Sequence, residues 1–561
     1  MSTIPTNITS TLWDYIFVGG GLVASVISHR LLESDPHLKI LVVEAGPNAN
    51  DRSDIVWPNS NNLIGGDFDW KDVTVKQSNL DDRILSYSLG KALGGGTVIN
   101  AGGWVRGDQF DLDTWGSIVD DKRWSYDGLL PYLKKSEQFW SKDINSDQHG
   151  QSGPCFVQSV TSTNREFPLR DIVLQSWAEL GINPRPGLDA NAGNPLGVGE
   201  LQENKVNGRR EIAAARYSLD GITVLTDTQV ARVIIDNKGP GQSPTAVGIA
   251  LADGSEIRGH ETILSAGAIR TPQLLKLSGI GPAEELKKHG IPVVLDNPEV
   301  GENLADHGLF RFGYKVKDPS AGWALGSPNQ LFTQEQYGWG TPADFVVSTD
   351  VSKKGLAAAI AEDEGKAPDP SVHPLLSRER TFNEHVFIYA GAADGSVVSF
   401  ATFTMLTTSR GSVKLASSNI QDAPLIDPNF LNTAVDRYVA REAVKLQVKF
   451  AASNATAIGR DILDGEVGET GFDETLTVDS TDDYIDARLR SILGTGYHPM
   501  GTAAMGKVVD QDLRVKGINS LRVVDASVIP IVVTGHLQVS LYALGEQASA
   551  IISAERNQRR G

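Results

Sequence analysis

The 561 residues are 40% apolar and 21% charged, ordinary globular usage that excludes a disordered, collagen-like or coiled-coil chain, and the length suits two or three interleaved units better than one. Setting 51 basic against 69 acidic residues leaves a net charge of −18, so no sequence-wide basic field exists to attract nucleic acid or anionic lipid. The single cysteine, Cys155, excludes an internal disulfide and any cysteine cluster for zinc or iron–sulfur, and no other metal site is read in the chain.

In chain order, Met1 to Leu12 has neither a basic start nor an apolar stretch of about 7–15 residues, so no secretory signal is read there. No run approaches the roughly 18 apolar residues of a membrane helix. Together these predict a soluble cytoplasmic protein with no membrane partner, and the sequons at Asn7 and Asn454 are read as unused.

Asp14 to Val18 is a short apolar run that breaks into Gly19, Gly20 and Gly21 and then into an apolar stretch ending near Pro36, which predicts strand, turn and helix. Lys39 to Glu44 predicts a second buried strand, and its terminal acid stands 23 residues beyond Gly21. This is a βαβ unit of dinucleotide-binding type. Gly19 serves the tight turn, Gly21 lets the backbone approach a pyrophosphate, and Glu44 is placed to hold ribose hydroxyls. Ala24 stands at the third glycine position, and this motif alone leaves FAD, NAD and a ligand-free glycine turn open.

Gly90 to Trp104 holds a second glycine cluster, too glycine-rich for a helix and too long for a hairpin turn, so backbone there must pass close to a flat or bulky object. Glu261 to Ser265 predicts a strand, and Thr271 to Ser278 a helix stopped by Gly279. Residues 310 to 415 mix strand-like runs, Val386 to Tyr389 and Val397 to Met405, with Gly/Pro-rich loops, and predict an antiparallel sheet with long insertions. Tyr438 to Ala452 predicts an amphipathic helix, and Leu521 to Asp525 a strand returning to the first unit.

Taken together these segments resemble the glucose-methanol-choline oxidoreductases, FAD-dependent flavoproteins acting mostly on alcohols, over nearly the whole chain. Gly90 to Trp104 is similar to the family's first signature and Gly267 to Gly281 to its second. Gly301 to His307, and the run from Tyr497 and His498 through Asp525 to Gly535, His536 and Gln538, resemble further family segments. The resemblance implies an α/β Rossmann-like FAD-binding domain from residues 1–155, 200–305 and 495–561. An α+β substrate domain on an antiparallel sheet would come from 156–199 and 306–494. It places the ADP half of FAD on Gly19, Gly21 and Glu44, and the flavin on Gly95, Thr97, Asn100 and Ala101. The adenine falls on the backbone of Val230, and the pyrophosphate and ribityl chain on Asp525 and Ala526, with Gln538 also on the cofactor. Ile99 stands where some members carry a histidine tethered to the flavin, so the FAD is expected to be non-covalent.

Oxidising an alcohol sends the hydroxyl proton to a base and the α-hydrogen to flavin N5 as hydride. Histidine titrates near neutrality, and the resemblance sets His498 opposite the flavin, so His498 is the expected base and His536 its hydrogen-bonding partner. Trp104 and Tyr497 are the expected pocket aromatics, whereas Trp323, Tyr337 and Trp339 are read as core. The remaining histidines, His307 among them, are given structural roles. The expected activity is oxidation of a small-molecule primary alcohol, aromatic or a specialised metabolite, with electrons passed to oxygen or a quinone-like acceptor. The alternatives are non-redox or non-alcohol chemistry on the same fold (a lyase, isomerase or decarboxylase) and a lapsed flavin-binding protein.

Overall fold

A computed structural model describes residues 5–50, 52–56, 63–140, 145–237, 239 and 242–560; the first four residues of the amino-terminal segment discussed above lie outside them. The elements that build the site are, in order, β1 (Trp13–Val18), α1 (Leu22–Ser34), β2 (Ile40–Val43), β3 (Gly197–Glu200), β4 (Thr223–Leu225), β5 (Val230–Asp236), β6 (Thr245–Leu251) and β7 (Glu256–Leu264). They continue as α2 (Gly267–Leu277), β8 (Gly308–Val316), β9 (Phe345–Thr349), β10 (Asn383–Gly391) and β11 (Val397–Thr404). The chain closes with α3 (Ala434–Ala451), β12 (Leu463–Glu466), β13 (Gly494–Thr495), β14 (Leu521–Val523) and α4 (Leu537–Arg560).

The first sheet runs β4-β2-β1-β7-β6-β5, with β14 added beside β7. Its centre is parallel: Tyr15 faces Ile40 on one side and Glu261 on the other. Parallel strands covered on both faces need continuous apolar runs, which is why β1 and β2 read as unbroken hydrophobic segments rather than alternating ones. The second sheet runs β12-β8-β11-β10-β9-β3 and is antiparallel throughout. There the side chains alternate: Phe310, Phe312, Tyr314 and Val316 enter a second apolar core, and Leu309 and Arg311 point the other way. The fold is therefore the expected pairing of a Rossmann-like unit with a separate antiparallel sheet.

Two helices begin earlier than their sequence patterns predict, and both extensions come from distant carboxylates. α2 starts at Gly267 rather than Thr271 because Asp525 Oδ2 accepts the Gly267 N–H at 2.9 Å. Pro272 inside it cannot donate to the Ala268 carbonyl four residues back, and the Thr502 hydroxyl donates there instead, at 2.6 Å. α3 starts at Ala434 rather than Tyr438 because Asp363 accepts the N–H groups of Ala434 and Val435, at 2.7 and 3.0 Å. Among the described residues, no helix is long and apolar enough to cross a membrane.

Candidate active site

A cavity of about 1430 Å³ connects the two sheets, larger than the roughly 300–1,000 Å³ usual for one small ligand. One end is the glycine turn between β1 and α1. Gly19 has φ +92° and its Cα lies so close to the Ser265 carbonyl that a Cβ would approach the oxygen to 2.5 Å. The turn delivers the chain into α1, whose first N–H groups lack intrahelical partners. Glu44, buried at the end of β2, accepts N–H groups from Gly20 and Gly46, each at 2.8 Å. Burial pushes its carboxyl up to about 7. Glu44 borders the cavity. Val230, at the start of β5, borders the same end.

The Gly90–Trp104 segment crosses the middle of the cavity. Thr97 Oγ1 is held from within, donating to Gly94 O at 2.6 Å and accepting Ala213 N–H at 3.0 Å, while Gly95 lies against Gly21. Asn100 is gripped from two sides: Arg210 Nη1 donates to its Oδ1 at 2.6 Å and to Thr97 O at 2.9 Å, and its own amide donates to Gln538 Oε1 at 3.2 Å. Gln538 Nε2 in turn donates to Gly103 O at 2.5 Å, tying the segment to the first turn of α4. Arg210 is buried, and burial alone pulls its guanidinium down to about 10. Gly95, Thr97, Asn100, Ala101, Asp525 and Ala526 all border the cavity. Asp525 uses its oxygens on Gly267 N, Thr271 Oγ1, Ser527 N and Ser527 Oγ, organising the turn more than reaching into the space.

The other end carries the histidines. Tyr497 takes a left-handed φ of +64°, a strained turn for a side-chain-bearing residue, and the turn aims the next side chain, His498, at the cavity. Asp306 holds this turn: Oδ1 accepts His498 N–H at 2.9 Å, and Oδ2 accepts the hydroxyls of Tyr87 and Thr495 at 2.8 and 2.6 Å. Burial pushes the Asp306 carboxyl up to about 6. The His498 and His536 rings lie 5.1 Å apart, and His498 Nδ1 is 2.9 Å from His307 Nδ1. His536 Nε2 stands 3.0 Å from Glu384 Oε1 and Nδ1 3.3 Å from Gly103 O. Only glycine fits at 103, since a Cβ there would meet His536 Nδ1 at 2.7 Å.

Charge separates the pair. Burial, then the neighbouring His307 and His536, hold His498 well below its ordinary pKa. Burial works against the charge on His536 too, but the Glu384 carboxylate outweighs it and raises that pKa above 6.5. Two titratable groups pushed apart by their surroundings are the pattern of a base beside a cation.

Glu384 and Asp306 were missed in the sequence. Glu384 had no local signal, lying 152 residues from its partner; Asp306 sits in the 301–307 segment next to His307 and was readable there. His307 keeps a structural bond, as expected, but its partner is His498 itself. Trp104 is a correction: it does not border the cavity. Its ring is buried against Tyr542, and Nε1 donates to Glu137 Oε2 at 3.1 Å. Alternation along an extended segment turns Gly103 toward His536 and its neighbour Trp104 the opposite way. Tyr497 does border the cavity and is partly exposed. Tyr337 hydrogen-bonds Glu166 and packs on Phe167, and Trp323 packs on the second core. Among the described residues no group of side chains is arranged to hold a metal ion.

The sheet order, the glycine turn and the acid following β2 define a dinucleotide-binding fold of Rossmann type. Two models of the GMC oxidoreductases match the chain, one over residues 13–309 and the other over 407–545. The GMC-type oxidoreductase acuG of Aspergillus aculeatus is 34% identical over 560 residues, 97% of this chain and 100% of that one. The formate oxidase of Aspergillus oryzae, in a structure with an R554A mutation, superposes with a TM-score of 0.85 at 26% identity, covering 98% of this chain and 99% of its own. A fungal aryl-alcohol oxidase superposes with a TM-score of 0.79 at 25% identity, covering 97% and 99%. The chain belongs to the GMC oxidoreductases, FAD enzymes that oxidise CH–OH groups.

The residues present fit FAD. Gly96 and Gly267 face open space, with no atom within 4 Å of an added Cβ, and Gly21 meets nothing nearer than 3.8 Å, so the backbone leaves a channel from Glu44 to the histidines. The helix start at Gly21 offers free N–H groups to a pyrophosphate.

Proposed function

We propose that the protein oxidises a small-molecule primary alcohol to an aldehyde, with His498 as the general base. FAD held by the glycine turn and Glu44 would supply the two-electron acceptor for the α-hydrogen of the alcohol. The observation that carries the reading is the placement of His498 at the cavity, with its Nδ1 2.9 Å from His307 Nδ1 and its ring 5.1 Å from that of His536. Burial pulls the His307 pKa down to about 3, so that ring is neutral and one of the two Nδ1 atoms donates to the other. In the proposed role the proton of that contact sits on His498 Nδ1, and His498 Nε2 keeps its lone pair for the substrate hydroxyl. His536 has both nitrogens committed to acceptors, so it acts through its positive charge, stabilising the alkoxide that develops beside it.

This division of charge sets the pH dependence. The working state needs His498 neutral and His536 protonated. With the first pKa lowered and the second raised, flavin reduction by alcohol is expected to plateau across pH 6.5, with the acid limb below that value and the alkaline limb above it. Glu384→Gln removes the carboxylate that holds the His536 proton, so the alkaline limb should move to lower pH and the plateau narrow. An alkaline limb that stays in place, followed by anaerobic stopped-flow across pH, would rule out this role for Glu384.

Leu309, Val386, Ile388, Ala401 and Phe403 make most of the wall at the substrate end apolar, which suits an aromatic alcohol better than a sugar. The similarity to an aryl-alcohol oxidase supports that class. We further propose that the FAD is not covalently attached, since Ile99 offers no nucleophile at the tethering position, and that oxygen or a quinone-like compound takes the electrons. Acid precipitation should release the yellow colour into the supernatant; colour held in the pellet would disprove non-covalent binding.

A further inference from the structure

We propose that Arg311 is a specificity-determining residue and that the preferred alcohol carries an anionic group of carboxylate type at the end away from the hydroxyl that is oxidised. The proposal rests on the reading of His498 and His536 as the reacting end of the cavity. The cavity-facing side of the antiparallel sheet is laid out in rows by its register. The first row is Leu309, Phe403 and Glu384, direct cross-strand neighbours. Glu384 bonds His536, and the Phe403 ring lies 6.1 Å from His498 and 5.7 Å from His536, so this row abuts the pair.

One step outward, two residues along each strand, the row is Arg311, Ala401 and Val386. Two residues of strand span roughly 7 Å. Ala401 is small and leaves room between the other two. Arg311 is thus the first charged side chain met on this wall beyond the histidine row, and it borders the cavity. Among the described residues its guanidinium makes no hydrogen bond and no ion pair; its charge is felt by the Tyr497 phenol across the opening.

The other charges on this side are committed or farther out. Arg83 Nη1 donates to the carbonyls of Arg490 and Leu493, at 2.8 and 3.0 Å. Glu469 follows Val467, whose N–H bonds Gly313 O in the third row, so that acid belongs to the outer rim. Arg311 is exposed, so its guanidinium stands in water at the cavity wall, and its fork matches a carboxylate with two parallel N–H bonds.

The test uses the FAD-loaded protein with 4-(hydroxymethyl)benzoate and its neutral methyl ester, in the native chain, Arg311→Lys and Arg311→Met. The apparent dissociation constant of each ligand is read from the flavin visible spectrum, by reduction or by perturbation. The native protein should favour the anion by roughly two- to five-fold, the worth of an exposed ion pair. The anion-to-ester ratio should survive in part in Arg311→Lys and collapse toward one in Arg311→Met. Equal affinity for the two ligands in the native protein, or a preference untouched in Arg311→Met, overturns the inference. If both ligands bind without reducing the flavin, the ratio still decides the role of Arg311, and the fault lies in the alcohol-oxidation reading instead.

Discussion

His498→Ala is expected to slow reduction of the flavin by alcohol by roughly 10²–10⁴-fold, the usual worth of a positioned general base. The effect should fall on the rate of the reductive step, since in the proposed role the His498 ring would meet the hydroxyl proton and not the remote part of the substrate. Removing the ring also leaves His307 Nδ1 without its partner in a buried site. His498→Asn, which keeps polar atoms near His307, separates that packing loss from loss of the base. Both variants should bind FAD, because among the described residues the hydrogen bonds and ring contacts of His498 run to Asp306, His307, Phe403 and His536 and not to the glycine cradle. Stopped-flow reduction at a near-native rate in both would remove His498 from the chemistry.

Glu137→Leu is expected to cost about 3–5 kcal/mol of stability, the range for breaking a buried ion pair on one side only. Glu137 is fully buried and accepts from Arg106 Nη2 at 2.6 Å, His149 Nδ1 at 2.9 Å, Trp104 Nε1 at 3.1 Å and Gly150 N at 3.1 Å. Leucine fills the space and strands all four donors. Burial disfavours the charge on His149, but its bonds to Asp189 and Glu137 raise the pKa overall. A folded pKa above the unfolded one makes the His149 contribution complete below about pH 6.5 and lost as pH rises through the folded value. The thermal midpoint of Glu137→Leu, with FAD in excess, should therefore fall most at acid pH. Val105, between Trp104 and Arg106, accepts the His536 backbone N–H at 2.9 Å, so the site should loosen as well. A midpoint unchanged at every pH would show the network to be energetically idle.

What the sequence made legible was local or repeated in long motifs. Gly19, Gly21 and Glu44 were readable because a strand, a turn and a helix are written in consecutive residues. His498 and His536 were readable because each sits in a family-like run. Asp525 and Asp363 were not recognised as helix-starting groups, since the N–H donors they satisfy lie 258 and 71 residues away. Glu384 is invisible for the same reason: a carboxylate on a strand has no signature until the sheet brings it under His536. Trp104 shows the opposite failure, in which neighbourhood in sequence was taken for neighbourhood in space. Arg311 looks like any alternating strand residue, and only the register with Ala401 and Phe403 gives it a place relative to the histidines.

The most direct test of alcohol oxidation is the anaerobic visible spectrum of the purified FAD-loaded protein before and after a panel of primary alcohols, with air admitted at the end. The account predicts that the flavin bands bleach with at least one alcohol; recovery in air would mark oxygen as the acceptor, and persistent bleaching a quinone-like one. Bands that stay unbleached with every alcohol, in a folded protein that retains its FAD, would contradict it.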